Sequence, residues 1–449
     1  MRESNRRMKG KPMKIWLVTI GEPLPLGISK DDRLHRTGQF ARYCASKGHE
    51  VVWWTSTFDH FRKQHHFEGD KTMAHSRGLK IMLLRGCGYA RNVSLGRLRD
   101  HCQLAEKFAR AAEQMEVPDV IVAALPTIEL CSACVDFGKR HAVPVVLDAR
   151  DMWPDIFAEA VPRVAQPAAR LLLRPLYKMA ERACSEATAI IGITDAFVDW
   201  GVRRGKRGRR AFDRSFPIAY EATEPAPEKI GAADRFWDEL GIYRDSPEMV
   251  VCYFGNVGVQ LDLEHAVEGA WSLYRQGSRT RLVLCGSGER LEEYRKKSAG
   301  CPNVLFPGWV DGARIWSLMR RSHAGLDPLP CRYDFLATIN NKAVEYLSAG
   351  LPVISSPQSG VLYELLRTES CGMSYDSGSA EGLVAVLKRL ETDGAMRTAM
   401  SSRSSSVFAL RFSAEAVHAE MENYLADVVS DAHPLSRLMG QDEKELQLY

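Results

Sequence analysis

Two doubly wound α/β lobes, each built on a parallel sheet, are the fold class this sequence predicts, and three observations carry the prediction. The length of 449 residues exceeds what one ordinary core organises, at roughly 150 residues per domain. Short apolar runs alternate with helical stretches through both halves, the pattern of strand, helix, strand units with parallel strands and right-handed crossovers. The alternation is interrupted between Tyr220 and Ile230, where Glu-Ala-Thr-Glu-Pro-Ala-Pro-Glu-Lys-Ile suits a connector better than an element interior.

The first lobe opens with a strand over Lys14 to Ile20, a Gly/Pro-rich loop from Gly21 to Gly27 and a helix over Gly38 to Lys47. Gly48-His49-Glu50 then leads into a second strand, Val51 to Thr55. Further apolar runs at Lys80 to Leu84, Val120 to Ala124, Val143 to Leu147 and Ala189 to Ile193 complete a buried parallel sheet. His60, His65 and His66 stand among Phe58, Phe61 and Phe67 in a stretch without period, which reads as a loop; three histidines alone do not make a metal site. Past the connector, strands are expected at Met249 to Phe254, Arg281 to Cys285, Val304 to Phe306, His323 to Leu326 and Pro352 to Ser355, with a last helix over Ala414 to Val428. The expected organisation is a first lobe over 14–222, a second over 232–410 and a C-terminal helix over 411–430, with loosely held tails at 1–13 and 431–449.

Hydrophobic content of 45% with 26% charged residues is ordinary globular composition, and no apolar run approaches the roughly 20 residues of a membrane span. The segment Met1 to Met13 is basic and polar without the apolar stretch of a secretory signal, so a cytoplasmic location is expected. The 11 cysteines are scattered singly, as buried thiols in a reducing compartment are, and the pair Cys131 and Cys134 has no second pair to complete a zinc site. A net charge of +4 is too small for a nucleic-acid binder, but the basic residues are unevenly placed. Arg170, Arg174, Lys178 and Arg182 recur every four residues beside Leu171, Leu172, Leu173, Leu176 and Tyr177, although Pro175 interrupts a single helix. Arg203, Arg204, Lys206, Arg207, Arg209 and Arg210 form a second cluster. Both could face an anionic membrane surface, with an ordinary solvated face as the alternative.

Three segments of the second half end a strand with glycine or open a helix with charge. Phe254-Gly255-Asn256-Val257-Gly258 and Leu284-Cys285-Gly286-Ser287-Gly288 put small residues at strand-to-helix turns, where backbone N–H groups can approach an anionic diphosphate; tight turns without a ligand look the same. The third, Thr338-Ile339-Asn340-Asn341-Lys342-Ala343-Val344-Glu345-Tyr346-Leu347-Ser348-Ala349-Gly350-Leu351-Pro352, is more specific. Lys342 there could compensate phosphate charge and Glu345 could accept hydrogen bonds from a ribose diol, with a surface ion pair as the alternative.

The lysine, glutamate and Ala-Gly-Leu-Pro succession resembles the donor motif of retaining family-four glycosyltransferases, whose GT-B fold pairs two Rossmann-like lobes facing a central cleft. The likeness spans nearly the whole chain. Phe254 to Gly258 is similar to the family's first donor loop and Gly286-Ser287-Gly288-Glu289-Arg290 to its second. Phe306-Pro307-Gly308-Trp309-Val310 is similar to the strand end beside the base. Leu147-Asp148-Ala149-Arg150-Asp151-Met152-Trp153-Pro154-Asp155 resembles a segment of the subgroup that builds O-antigen, capsule and exopolysaccharide. The resemblance implies a nucleotide-sugar donor, with UDP and N-acetylated or simple hexoses expected, bound by the second lobe. A lipid-linked or saccharide acceptor would be bound by the first, with the C-terminal helix returning to that lobe.

Carried across, the donor site would comprise Gly255, Asn256, Gly258, Gln260, Gly286, Gly288, Trp309, Val310, Asn340, Asn341, Lys342 and Glu345. No cofactor or divalent metal is expected, since no Asp-x-Asp motif lies near these segments and Lys342 with backbone dipoles would counter the leaving diphosphate. Asp151, Arg150 and Lys342 are the candidate catalytic residues, Asp151 to orient or deprotonate the acceptor hydroxyl, with helix capping as its alternative role. Ser29, Asp31, Asp32, Arg33, His35, Arg36 and Gly38 form the expected acceptor-side loop, in which Arg33, His35 and Arg36 are the candidate contacts.

Two departures stand out. Many members carry a second glutamate eight positions before the one corresponding to Glu345, where this chain has Ala337, and many place cations after the first donor loop, where this chain has Val259-Gln260-Leu261-Asp262. A dehydrogenase is disfavoured because Gly21-Glu22-Pro23-Leu24-Pro25 replaces G-x-G-x-x-G after the first strand. A nucleotide-sugar epimerase or hydrolase of the same fold, or a degenerate lobe pair kept for assembly, remains as an alternative. The sequence does not settle oligomeric state.

Overall fold

The computed structural model describes residues 11–25, 34–92, 94–159 and 161–432. It divides into two compact units, one running to Phe216 and resuming at His418, the other from Pro217 to Val417. Each is organised by one main sheet.

The first unit contains β1 Lys14–Val18, β2 Glu50–Ser56, β3 Phe58–Asp59, β4 Gln64–His65, β5 Lys71–Ser76, β6 Leu79–Leu84, β7 Val120–Leu125, β8 Val145–Ala149, β9 Ala189–Gly192 and β10 Arg214–Ser215. Its sheet has the order β10-β9-β8-β7-β1-β2-β6-β5. All pairings in it are parallel except β5 against β6. Every residue of β7 is buried, as both faces of a covered parallel strand must be. Trp16 packs edge-on to Trp54 at 5.2 Å and Trp54 edge-on to Phe108 at 5.0 Å, which ties β1, β2 and the helix Leu95–Ala112 into one core.

The second unit holds β11 Met249–Asn256, β12 Thr280–Ser287, β13 Val304–Gly308, β14 Ala324–Pro328, β15 Val353–Ser356 and β16 Gly372–Ser374. They form an all-parallel sheet of order β13-β12-β11-β14-β15-β16. The first six residues of β11 are buried and the last two, Gly255 and Asn256, are exposed, so this strand leaves the core at its carboxyl end. The helix Asn341–Ser348 lies close on β14 because Gly325 has no side chain: a Cβ there would meet the Tyr346 ring at 2.2 Å. Tyr346 in turn packs edge-on to Phe254 at 5.1 Å.

Several elements differ from expectation. The stretch around His60 holds the two-stranded hairpin β3–β4 rather than an open loop, with Phe58 opposite His65. β5, β10 and β16 carry no apolar run long enough to announce them. The connector is shorter than read, because a helix begins at Pro227 inside it and runs to Glu239, with proline at its first position. The C-terminal helix, Ala414–Ala432, extends beyond Val428. From His418 onward it belongs to the first unit, where Glu422 receives the Tyr43 hydroxyl at 3.1 Å and lies 2.9 Å from His49 Nε2. Of the expected tails at 1–13 and 431–449, residues 1–10 and 433–449 lie outside the described residues, while 431 and 432 belong to the last helix.

Candidate functional site

In the second sheet the strand order reverses at β11. β12 and β13 lie on one side of it and β14, β15 and β16 on the other. Helical connections diverge at such a reversal and leave a crevice outside the carboxyl ends of the strands. Gly255 and Gly286 are register partners at the ends of β11 and β12. A Cβ on Gly286 would stand 1.8 Å from the Gly255 carbonyl oxygen, and one on Gly288 2.3 Å from that of Val257. Gly255 has φ +152° and Gly286 +144°, values that side-chain-bearing residues seldom adopt. The two turns are thereby pressed together with bare backbone outward: Gly255, Asn256, Ser287 and Gly288 are all exposed.

The third predicted segment comes to the same place by way of β14. Asn340 caps the helix Asn341–Ser348, its Oδ1 accepting from the Ala343 N–H at 3.0 Å. Its Nδ2 donates to Asp327 Oδ2 at 2.7 Å. Asp327, next to last in β14, is fully buried; burial pushes its carboxyl up, a net rise that the nearby Lys342 charge and the Asn340 bond only partly offset. Lys342 lies along the Gly255 turn, its Cδ 3.6 Å from where a Gly255 Cβ would be and its Nζ 5.9 Å from the Tyr253 ring centroid. The Tyr253 hydroxyl donates to the Asn256 carbonyl at 2.6 Å and so fixes the turn from beneath. Glu345 follows Lys342 by three residues, about one helical turn, and is partly exposed.

Gly255, Asn256, Gly258, Gly286, Gly288, Asn340 and Lys342 are therefore brought together. Asn341 is exposed at the helix start, and Gln260 is exposed just past the first turn. Trp309, 68% exposed, and the buried Val310 follow β13, one strand further out than β12. Asp327 and Tyr253 belong to this neighbourhood and were not singled out from the sequence, while Glu289, of the second glycine-bearing loop, accepts from the Val259 N–H at 3.3 Å. Ala337 is buried, so no side chain there reaches outward.

In the first unit Arg36 and Arg150 are held by one buried carboxylate. Asp148, fully buried on β8, accepts from Arg36 Nε at 2.9 Å and Arg150 Nε at 2.8 Å, and Arg150 also pairs with Glu22. Burial pushes the Asp148 carboxyl up, but the two guanidinium groups outweigh it and the net shift is downward. These two arginines close an ion cluster with Asp148 and Glu22. His35 is exposed with its ring 6.4 Å from Phe61, and Arg33 lies outside the described residues. Asp151 accepts from the N–H of Met152 at 2.8 Å and from Trp153 Nε1 at 3.1 Å. Trp153 is stacked on His101 and covered on its ring by Arg97, with guanidinium and centroid 4.3 Å apart. His101 Nδ1 lies 3.5 Å from Glu129 at the start of the helix after β7. Arg97, His101 and Glu129 gather at strand ends without a shared sequence motif.

Cys131 and Cys134 are buried free thiols, with burial pushing both up, and no cluster of metal-ligating side chains occurs among the described residues. No described helix is long and apolar enough to cross a membrane.

Two doubly wound α/β units, the second opening a glycine-lined crevice at its strand-order reversal, make up the GT-B fold class expected from the sequence, and solved structures bear that fold out. Sucrose-phosphate synthase from Thermosynechococcus elongatus superposes with a TM-score of 0.67 at 15% identity, covering 93% of this chain and 100% of that one. Anabaena HepE in complex with UDP does so with 0.61 at 16% identity, covering 92% and 100%. Residues 248–393, within the second unit, match the family described as glycosyl transferases group 1. Over 145 residues the chain is 27% identical to the lipopolysaccharide core biosynthesis glycosyltransferase LpsE of Rhizobium meliloti (strain 1021), a match spanning 30% of this chain and 38% of that relative.

Proposed function

We propose that the protein is a retaining glycosyltransferase that moves a hexose or N-acetylhexosamine from a UDP-linked donor to a lipid-linked or saccharide acceptor in surface-polysaccharide biosynthesis. The observation that carries this reading is the convergence of the Gly255 and Gly286 turns with the capped helix bearing Lys342 and Glu345 at one strand-order reversal. Exposed turns, a helix N-terminus and a lysine offer positive potential to a diphosphate, and Glu345 accepts from the ribose hydroxyls. HepE, which binds UDP, and LpsE, named for lipopolysaccharide core synthesis, support the nucleotide and the pathway class.

In the transfer, the bond from the anomeric carbon to the diphosphate oxygen breaks and a bond to the acceptor oxygen forms on the same face. Lys342 and the turn backbone stabilise the leaving diphosphate, so the reaction needs no divalent metal. The acceptor proton passes to the departing phosphate oxygen, while Asp151, fixed by Met152 and Trp153, orients the hydroxyl. The enzyme works at the cytoplasmic side of the membrane.

The test is transfer from radiolabelled UDP-sugars to lipid-extracted acceptors, with and without chelator, and anomeric configuration read by NMR. Transfer with retention that survives chelation is expected. Activity lost on chelation and restored by magnesium would overturn the metal-independent reading, and free sugar or an epimerised donor as product would favour a hydrolase or epimerase.

A further inference from the structure

From Val161 to Ala180 the chain carries no acidic residue and four basic ones, Arg163, Arg170, Arg174 and Lys178. All four are exposed, and none forms an ion pair among the described residues. The second basic run behaves differently. Arg204 pairs with Asp155, Lys206 with Glu181, Arg207 with Asp213 and Arg209 with Asp195 and Asp199. Arg182 is likewise taken by Asp136 and Glu186. Arg210 spends its guanidinium on the Ser185 and Ala187 carbonyls, so among the described residues of the second run only Arg203 stands exposed without such a partner, whereas all four cations of the first segment do.

That segment also exposes aliphatic surface. Val164 is 93% exposed, Leu171 68% and Leu172 82%. The backbone arranges this. A helix over Gln166–Leu172 ends at Leu173, and a second, Arg174–Glu186, starts with Pro175 in its first turn, so the junction projects both leucines between Arg170 and Arg174. Isolated exposed leucines are ordinary, but adjacent ones ringed by unpaired cations mark an interaction surface.

We propose that this helix junction docks on an anionic lipid bilayer. Exposed aliphatic tips flanked by arginine and lysine, in a segment with no carboxylate of its own, match the boundary between acyl chains and anionic headgroups. Protein interfaces by contrast are enriched in aromatic residues at their centre, and the one aromatic of this segment, Tyr177, is tied to Asp155 through its hydroxyl at 3.0 Å. Leu171 and Leu172 enter the boundary while the four cations contact headgroup phosphates. The inference stands apart from the transfer reaction, since it needs only the exposed surface.

The experiment is flotation of the full chain with phosphatidylcholine vesicles, with and without phosphatidylglycerol, across a salt series. Binding only to the anionic vesicles, weakening as salt rises, is expected. Combined Arg170→Gln, Arg174→Gln and Lys178→Gln should lower the partition coefficient on the order of a hundredfold, about fivefold per charge. Leu171→Ser with Leu172→Ser should weaken binding at every salt concentration. Circular dichroism and melting of each variant must match the wild type; a variant that misfolds is replaced by the single substitutions, read the same way. Equal binding of wild type and variants, or no binding of the wild type, overturns the proposal. A wild-type dimer that Leu171→Ser with Leu172→Ser dissociates would overturn it in favour of a second copy as occupant.

Discussion

Gly286 has the least room of the glycines at the candidate site. Its missing side chain lets the Gly255 carbonyl sit where a Cβ would stand only 1.8 Å away, and backbone cannot yield as a flexible side chain can. Gly286→Ala should therefore push the two turns apart, costing about 1–3 kcal/mol of stability and abolishing nucleotide binding. Thermal melting and calorimetric titration of the variant with UDP check both; unchanged affinity would show that the turn spacing is irrelevant to the ligand. At this scale the sequence was most readable where residue types recur at functional spacing. Lys342 and Glu345 stand three residues apart in a helix start that Asn340 announces. Asp327 was invisible because a single carboxylate inside Gly-Leu-Asp-Pro-Leu has no spacing to betray it, and its role appears only once Asn340 folds back onto β14. The pairing of Arg36 and Arg150 was invisible for a related reason: the buried Asp148 that holds both is on the strand itself, inside an apolar run.

Elements were legible in proportion to the apolar surface they bury. β7 and β11 read directly as continuous apolar runs, and Pro175 correctly signalled a helix interruption, realised at Leu173. β5 was missed because it is an edge strand whose residues are almost all exposed, and β16 because it has three residues and starts with glycine. The C-terminal helix carries its own prediction. His418 is buried against Phe40 and Tyr43, with ring centroids at 5.7 and 5.4 Å, and burial, with Arg36 and Arg42 nearby, lowers its pKa to about 4. A histidine whose folded pKa lies below its unfolded value near 6.5 contributes stability that is fully present above pH 6.5. That contribution is lost as pH falls toward 4, about 3 kcal/mol across the window. His418→Leu should flatten this acid limb in a pH series of melting temperatures. An unchanged limb would assign acid sensitivity to another group.

For the whole molecule, the division into two doubly wound units was predictable from length and from one break in the alternation. The two halves do not stand on equal footing, however. The family match covers 248–393 only, so the second unit is supported by sequence likeness and by geometry together. The first unit is supported by shared fold, and its residues around Asp151, Trp153 and Arg97 must be judged on their own chemistry. The account's central claim is accordingly that the crevice of the second unit binds a nucleotide sugar. The most direct test is a thermal-shift panel of nucleoside diphosphates and nucleotide sugars against the wild type and Glu345→Ala. UDP or a UDP-sugar at a hundredfold excess over its dissociation constant should stabilise the wild type by about 2.7 kcal/mol. The variant should melt as the free wild type does and lose that stabilisation. No shift with any nucleotide, or an equal shift in the variant, would contradict the claim.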